Sequence, residues 1–450
     1  MNFSIQRLAQ RLRYFIKHEL LFKIYCLSDY SCRPTFREYL VKAHVIFQTK
    51  GLLCVLKCLI RSAIKYSFSL LLSSNTTNIG KTLDTLDFKK RAILIYSHVP
   101  YMDPMKQRPQ HIAESLASKD CYVFYSSRFI EKGIRKSSIV RLKNKVFLLN
   151  QKNETTNQIL DYFKGISVLV YATDITHLNH QTYNAFSKKA NVIVDYLDKL
   201  DSKVLGCDTT QYQSFHNYLL QDCYNILIAS SDYLVKHALK YRQKAHLVPN
   251  ACNPQDFAYK PKLNKVSKDM QHIIGQKQPI IGFFGALAKW LDYDLLVEIA
   301  CLKPEYSFVF IGCDYDQSCL KLKKKNLPNV YFLGTIPYSN LKYYAVWFDV
   351  SIIPFLIEDL THAVSPVKLF EYMAIGKPIV ATRTQELEKY KSVLFANTAK
   401  EFAAKLDEAI AKQQDKKYKK IMQKELHDNT WDYRAKKIIK IIEEYESQLQ

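Results

Sequence analysis

Glycine is scarce in this 450-residue chain, at 11 residues, and proline is little commoner at 14. That excludes a collagen-like or low-complexity protein and argues against one built on glycine-rich phosphate loops. No Cys-x-x-Cys occurs among the 11 cysteines. Cys54, Cys58, Cys121, Cys223 and Cys301 stand singly in apolar runs, which predicts small reduced hydrophobes in a reducing, cytoplasmic compartment rather than a disulfide framework. A cleavable signal pattern is also missing, because Arg7, Arg11, Arg13 and Lys17 interrupt the apolar stretch it would need. Acidic residues are in deficit, 42 against 65 Lys and Arg, for a net charge of +23. Such a field attracts nucleic acid, anionic membrane or phosphorylated small molecules. With 48% hydrophobic residues the chain can bury sizeable cores, and at roughly 150 residues per domain its length suits two or three of them.

Residues 1–75 carry twelve Lys and Arg against Glu19, Asp29 and Glu38. Their most apolar part, 51–72, is long enough to span a bilayer, but Lys57, Arg61 and Lys65 sit in its centre. Each would cost about 2.5–3.5 kcal/mol there. Spaced by four, the three cations share one helical stripe, opposite Leu52, Leu56, Leu59, Ile60 and Ala63. An amphipathic helix lying in the plane of an anionic leaflet fits this pattern, and a core-packed helix with a solvated basic face is the alternative.

Beyond residue 90 short β-branched or aromatic runs alternate with stretches of helical period. Ala92–Ser97, Tyr122–Tyr125, Val146–Leu149, Ser167–Tyr171, Val192–Tyr196 and Ile226–Ala229 form one set. After a Lys- and Pro-rich break at 259–278, Ile280–Phe284, Ser307–Ile311, Val330–Leu333, Val350–Ile353 and Ile379–Ala381 form a second. Uninterrupted apolar strands between helices predict parallel sheets covered on both faces. The fold class expected is α/β: two Rossmann-like doubly wound domains facing a cleft, behind a basic helical extension. The expected boundaries are 1–88 for the extension, 89–262 and 263–429 for the two domains, and 430–450 for a final helix. Ligands then lie at the carboxyl ends of the strands.

Chemistry concentrates in residues 350–382. A strand ends at Pro354, a loop runs to Ser365-Pro366, and a helix follows as far as Gly376. Ser365 suits an N-cap and Pro366 the first helical turn, leaving free backbone N–H groups as an anion site. Lys368 lies on that first turn, and Glu371 follows on nearly the same face, where a carboxylate can accept from a ribose diol. A diphosphate on the helix start and a ribose on the glutamate is the chemistry of holding a nucleotide.

These residues resemble the donor-binding segment of GT-B glycosyltransferases, above all the glycosyltransferase family 4-like group and its capsule, lipopolysaccharide and teichuronic-acid members. The string Pro366–Tyr372 (PVKLFEY) is especially similar. So are 280–296 (IIGFFGALAKWLDYDLL), 330–341 (VYFLGTIPYSNL), 224–234, 246–253 and 107–117 (QRPQHIAESLA), so the likeness covers about 90–450. It implies a nucleotide-diphosphate sugar as donor, a glycan or lipid-linked acceptor in surface-polysaccharide synthesis, and transfer with retention. It implies a donor site of Gly285, Lys289, Thr335, Ile336, Ser365, Pro366, Val367, Lys368 and Glu371. The residues themselves, apart from that resemblance, lead to the expectation of no metal, no nucleic-acid partner, and an enzyme peripheral to the inner face of the plasma membrane.

Two departures stand out. Family members place a further glutamate eight positions before Glu371, where this chain has Ala363; Glu358 or Asp359 is the expected substitute. Where the first donor-domain loop usually carries an arginine the chain has Ala286, leaving Lys289 as the cation. Acceptor-side candidates at strand ends are Asp195 with Asp198 as the favoured pair, His98 with Asp103 second, and Asp174. The strings Asp292-Tyr-Asp294 and Asp314-Tyr-Asp316 invite a metal, but Asp292 reads better as a helix cap and no third ligand is placed. Three alternatives remain: an inverting enzyme with an aspartate base, a nucleotide-sugar binder that transfers nothing, and a basic nucleic-acid binder, the last without an RRM, KH or helix-turn-helix signature. A Rossmann oxidoreductase is disfavoured because no G-x-G-x-x-G follows an early strand.

Overall fold

A computed structural model describes residues 76–103, 105–127, 138–142, 145–150, 155–174, 177–202 and 208–449. The amphipathic helix expected over 51–72 lies outside them.

The first sheet holds β1 (Thr76–Asn78), β2 (Ala92–Ser97), β3 (Tyr122–Ser127), β4 (Ser138–Arg141) and β5 (Val146–Asn150). It continues with β6 (Ser167–Tyr171), β7 (Asn191–Tyr196), β8 (Ile226–Ala229) and β9 (His246–Leu247). Their spatial order is β1-β4-β5-β3-β2-β6-β7-β8-β9. Near one edge β4 runs antiparallel to both of its neighbours, β1 and β5, and all other neighbours pair in parallel. The second sheet, all parallel, comprises β10 (Ile280–Phe284), β11 (Ser307–Ile311), β12 (Val330–Gly334), β13 (Val350–Ile353), β14 (Ile379–Ala381) and β15 (Val393–Phe395). Its order is β12-β11-β10-β13-β14-β15. Each sheet therefore reverses its winding once, between β2 and β6 and between β10 and β13, and these reversals open the crevices where ligands bind.

Both faces of the first sheet are buried, which explains the continuous apolar runs. Leu94, Phe124, Val168 and Val194 pack on one side with Leu219 and Leu234. Ile93, Ile95, Val123, Leu169 and Ile193 pack on the other with Ile112 and Leu116. Burying one such side chain contributes about 1.5–3 kcal/mol.

Three boundaries differ from the sequence expectation. Residues 76–86, placed with the extension, belong to the first domain: β1 joins its sheet, and Ile79, Leu83 and Leu86 enter its core. The second core begins at Cys252 and Phe257 rather than at 263. The final helix, Trp431–Leu449, is not free-standing, since Trp431, Ala435, Ile438 and Ile442 pack into the first domain's core. Its Trp431 stacks on His111 with ring centroids 5.1 Å apart. Among the cysteines, Cys121, Cys252 and Cys319 are buried as free thiols, whereas Cys223 and Cys301 are exposed.

Candidate functional site

At the second sheet's switch point, β10 ends and Gly285 follows with φ +146°, a conformation that a side chain would strain. A β-carbon there would overlap Cε of Lys368. Gly312, after β11, is held equally close, since a β-carbon on it would strike the Gly285 carbonyl. The two bare backbones thus form a shallow floor, and the Lys368 side chain lies across it.

Lys368 is carried by the helix Val367–Ile375. Contrary to expectation, its N-cap is Pro366 (ψ 122°), with no side-chain cap. The Ser365 hydroxyl instead accepts from the Asn250 N–H (3.3 Å), and the Ser365 carbonyl from Asn250 Nδ2 (2.6 Å). An uncapped helix start with a lysine on its first turn is an electropositive anion site. Burial pushes the Lys368 ammonium below its usual pKa, against the pull of Glu371 and Cys313. One turn on, Glu371 is 5% exposed and its carboxyl is pushed up to about 7, by burial first and by Asp256 as well. Tyr338, which donates to Asp256 Oδ2 (3.2 Å), also bonds Glu371.

The other expected donor residues are in view of solvent. Thr335 is exposed and Ile336 half-buried, in the loop after β12. Lys289 is exposed, and its backbone N–H is tied to Asp316 (3.0 Å). The replacements expected for the missing glutamate are otherwise engaged. Glu358 caps the short helix Asp359–His362, and Asp359 pairs with Lys199 (2.8 Å). Ala363 itself is fully buried, its carbonyl accepting from Ser231 Oγ of the first domain (2.6 Å). Carboxylates of the two Asp-Tyr-Asp strings serve local structure: Asp292 caps the helix Tyr293–Leu302, Asp294 pairs with Lys321, and Asp314 with Lys323.

On the acceptor side, the favoured pair comes apart. Asp195 is fully buried, with both oxygens on Arg108 (2.7 and 3.2 Å), and Arg108 also reaches Asn250 Oδ1 and the Val248 carbonyl. No substrate hydroxyl can reach such a carboxylate, so Asp195 is corrected to a structural residue. Asp198, three residues on, is half-buried and has no hydrogen-bond partner among the described residues. Burial, opposed by Arg108, pushes its carboxyl up to about 6. Nor does His98 pair with Asp103. Asp103 accepts from the Met105 N–H (2.8 Å) and lines a cavity between the domains, with Tyr101 and Lys106 on one side and Asp256, Tyr338 and Lys342 on the other. The partner of His98 is Asp174, at 2.9 Å from Nδ1. Arg108, Asn250, Asp256, Tyr338 and His177 escaped sequence reasoning. Arg108, Asn250 and Tyr338 lie inside the strings 107–117, 246–253 and 330–341 that carry the resemblance, and His177 follows Asp174 by three residues.

The chain is similar to known glycosyltransferases. Residues 278–412 match the family described as glycosyl transferases group 1. A putative teichuronic acid biosynthesis glycosyltransferase of Bacillus subtilis, TuaH, is 27% identical over 224 residues, 48% of this chain and 55% of that protein. The match thus spans about half the length of this curated relative. Among solved structures, sucrose-phosphate synthase of Thermosynechococcus elongatus superposes with a TM-score of 0.60 at 14% identity, over 80% of this chain and 100% of that one. HepE of Anabaena, in complex with UDP, gives 0.54 at 12% over 79% and 100%. Likeness at such identities speaks for the fold.

Proposed function

We propose that this chain, a group 1 glycosyltransferase of the GT-B fold, moves a sugar from a nucleotide-diphosphate sugar to a glycan or lipid-linked acceptor in surface-polysaccharide synthesis. The observation that carries the reading is the Lys368 side chain laid across Gly285 beside an uncapped helix start, with Glu371 one turn further on. There the diphosphate meets backbone N–H groups and an ammonium, and the ribose diol meets a carboxylate. As the sugar–phosphate bond breaks, the charge growing on the leaving diphosphate is stabilised by groups already in place. In this reading the reaction needs no metal, because lysine and helix start carry that charge.

The UDP held by HepE and the polysaccharide role in the curated relative's name support donor class and setting. Retention is the outcome the resemblance implies. A lipid-linked acceptor would place the enzyme on the inner face of the plasma membrane. Among the described residues no helix is long and apolar enough to cross a membrane. A second reading, nucleotide-sugar binding without transfer, draws on Ala363.

The test is a thermal-shift panel of UDP-, GDP-, CMP- and dTDP-sugars, followed by donor turnover in excess EDTA. A raised midpoint with one class and chelator-resistant turnover are expected. Binding without any turnover would favour the second reading, and no shift with any of them contradicts both.

A further inference from the structure

The chain passes between the two domains twice, at 248–257 and at 428–431, and the two passages are bonded to each other. The Cys252 N–H donates to the Asn429 carbonyl (3.2 Å), and the Trp431 N–H donates to the Cys252 carbonyl (3.0 Å). Arg434, on the final helix, holds both passages. Its Nε and Nη2 donate to the carbonyls of Pro249 (2.9 Å) and Asn250 (3.3 Å), and its Nη1 donates to that of Asp428 (2.9 Å). The first passage changes cores between Ala251, packed in the first domain, and Cys252, packed in the second. Asn250 stands just before that change and is 6% exposed.

From this fixed point the Asn250 side chain reaches in both directions. Its Oδ1 accepts from Arg108 Nη1 (3.1 Å), and Arg108 is itself held by Asp195 and the Val248 carbonyl. A guanidinium has no acceptor, so Arg108 sets the amide oxygen toward itself and the amide nitrogen the other way. That nitrogen donates to the Ser365 carbonyl (2.6 Å), while the Asn250 N–H donates to the Ser365 hydroxyl (3.3 Å). Ser365 directly precedes Pro366, the N-cap of the helix that carries Lys368. The peptide between them is planar and the proline ring fixes the next backbone angle. Little slack is then left between the Ser365 carbonyl and the first N–H groups of the helix. Fixing that carbonyl aims those groups before any anion arrives, whereas a loose helix start would have to be ordered at each binding event.

We infer that Asn250 is a positioning residue for the donor diphosphate, acting through Ser365 on the helix start rather than on the donor itself. The inference rests on the donor reading above. A chain of contacts, Asp195 to Arg108 to Asn250 to Ser365, thereby links the end of β7 in the first domain to the anion site of the second. The first domain holds the diphosphate site in shape without contributing a group to it.

The test uses two variants of the full chain. Asn250→Ala removes both side-chain contacts. Asn250→Asp keeps the size and the acceptor for Arg108 and loses only the donation to Ser365, so it stays folded if the smaller residue does not; thermal unfolding checks this. The probes are the nucleoside diphosphate and monophosphate of the base that the thermal-shift panel selects, titrated calorimetrically. Each variant should bind the diphosphate about tenfold more weakly, the worth of one buried hydrogen bond. Monophosphate affinity should stay within about twofold of wild type, which a general loosening of the fold would not allow. Equal losses for the two nucleotides, or diphosphate affinity within about twofold of wild type in a folded variant, overturns the inference alone. A wild type that binds both nucleotides equally overturns the donor reading and the inference with it.

Discussion

The side chain of Lys368 occupies the space that a β-carbon on Gly285 would fill. Two residues 83 positions apart in sequence thus define one floor, with the glycine bare so that the ammonium can lie over it. Gly285→Ala should displace Lys368 as well as strain the backbone. A loss of at least tenfold in nucleoside diphosphate affinity is expected, with a lower melting temperature, read by calorimetric titration and thermal unfolding.

Glu371 should trade stability for binding. Its folded-state pKa of about 7 lies above the ordinary 4.5, so the native protein holds a proton that the unfolded chain gives up. Stability is therefore lost as pH rises from about 4.5 to 7, by up to about 3 kcal/mol. Glu371→Gln should escape that loss, melting higher than wild type at pH 8 but not at pH 5, while binding nucleotide more weakly at pH 8. An equal melting difference at both pH values would contradict the placement of that charge.

The Arg108–Asp195 pair should act on folding. Removing one partner leaves a buried charge unpaired, at a typical cost of about 3–5 kcal/mol. Urea unfolding of Asp195→Asn and Arg108→Met should show losses of that order, and combining the two should cost less than their sum.

Lys57, Arg61 and Lys65 carry the membrane reading. Full-length protein should sediment with liposomes containing anionic lipid and be released as salt rises, each cation near the surface contributing about 1 kcal/mol. The triple charge reversal Lys57→Glu/Arg61→Glu/Lys65→Glu should stay in solution, and equal pelleting of the two would contradict the reading.

Much of this was legible in the sequence. AILIYS, SVLVY and IIGFF read as strands because a parallel sheet buries both faces, leaving no polar alternation to confuse the pattern. Three short strands did not show: β1, β4 and β15 have only three or four residues and lie at or next to a sheet edge. The donor helix was legible because Pro366, Lys368, Glu371 and Gly376 lie within one local string. Its cap was not, since Ser365 is claimed by Asn250 from 115 positions away. Asp195 misled for the same reason. A carboxylate at a strand's end reads as facing a cleft until Arg108, 87 positions earlier, is seen to enclose it.

The most direct test of the donor site compares binding of nucleoside diphosphate and nucleoside monophosphate to wild type and to Lys368→Ala, for the nucleoside that the thermal-shift panel selects. If Lys368 and the helix start hold the second phosphate, wild type should prefer the diphosphate. The substitution should weaken diphosphate binding by about ten- to a hundredfold, the worth of one charge-assisted contact, and leave monophosphate binding nearly unchanged. Equal diphosphate affinity in the two proteins would contradict the account.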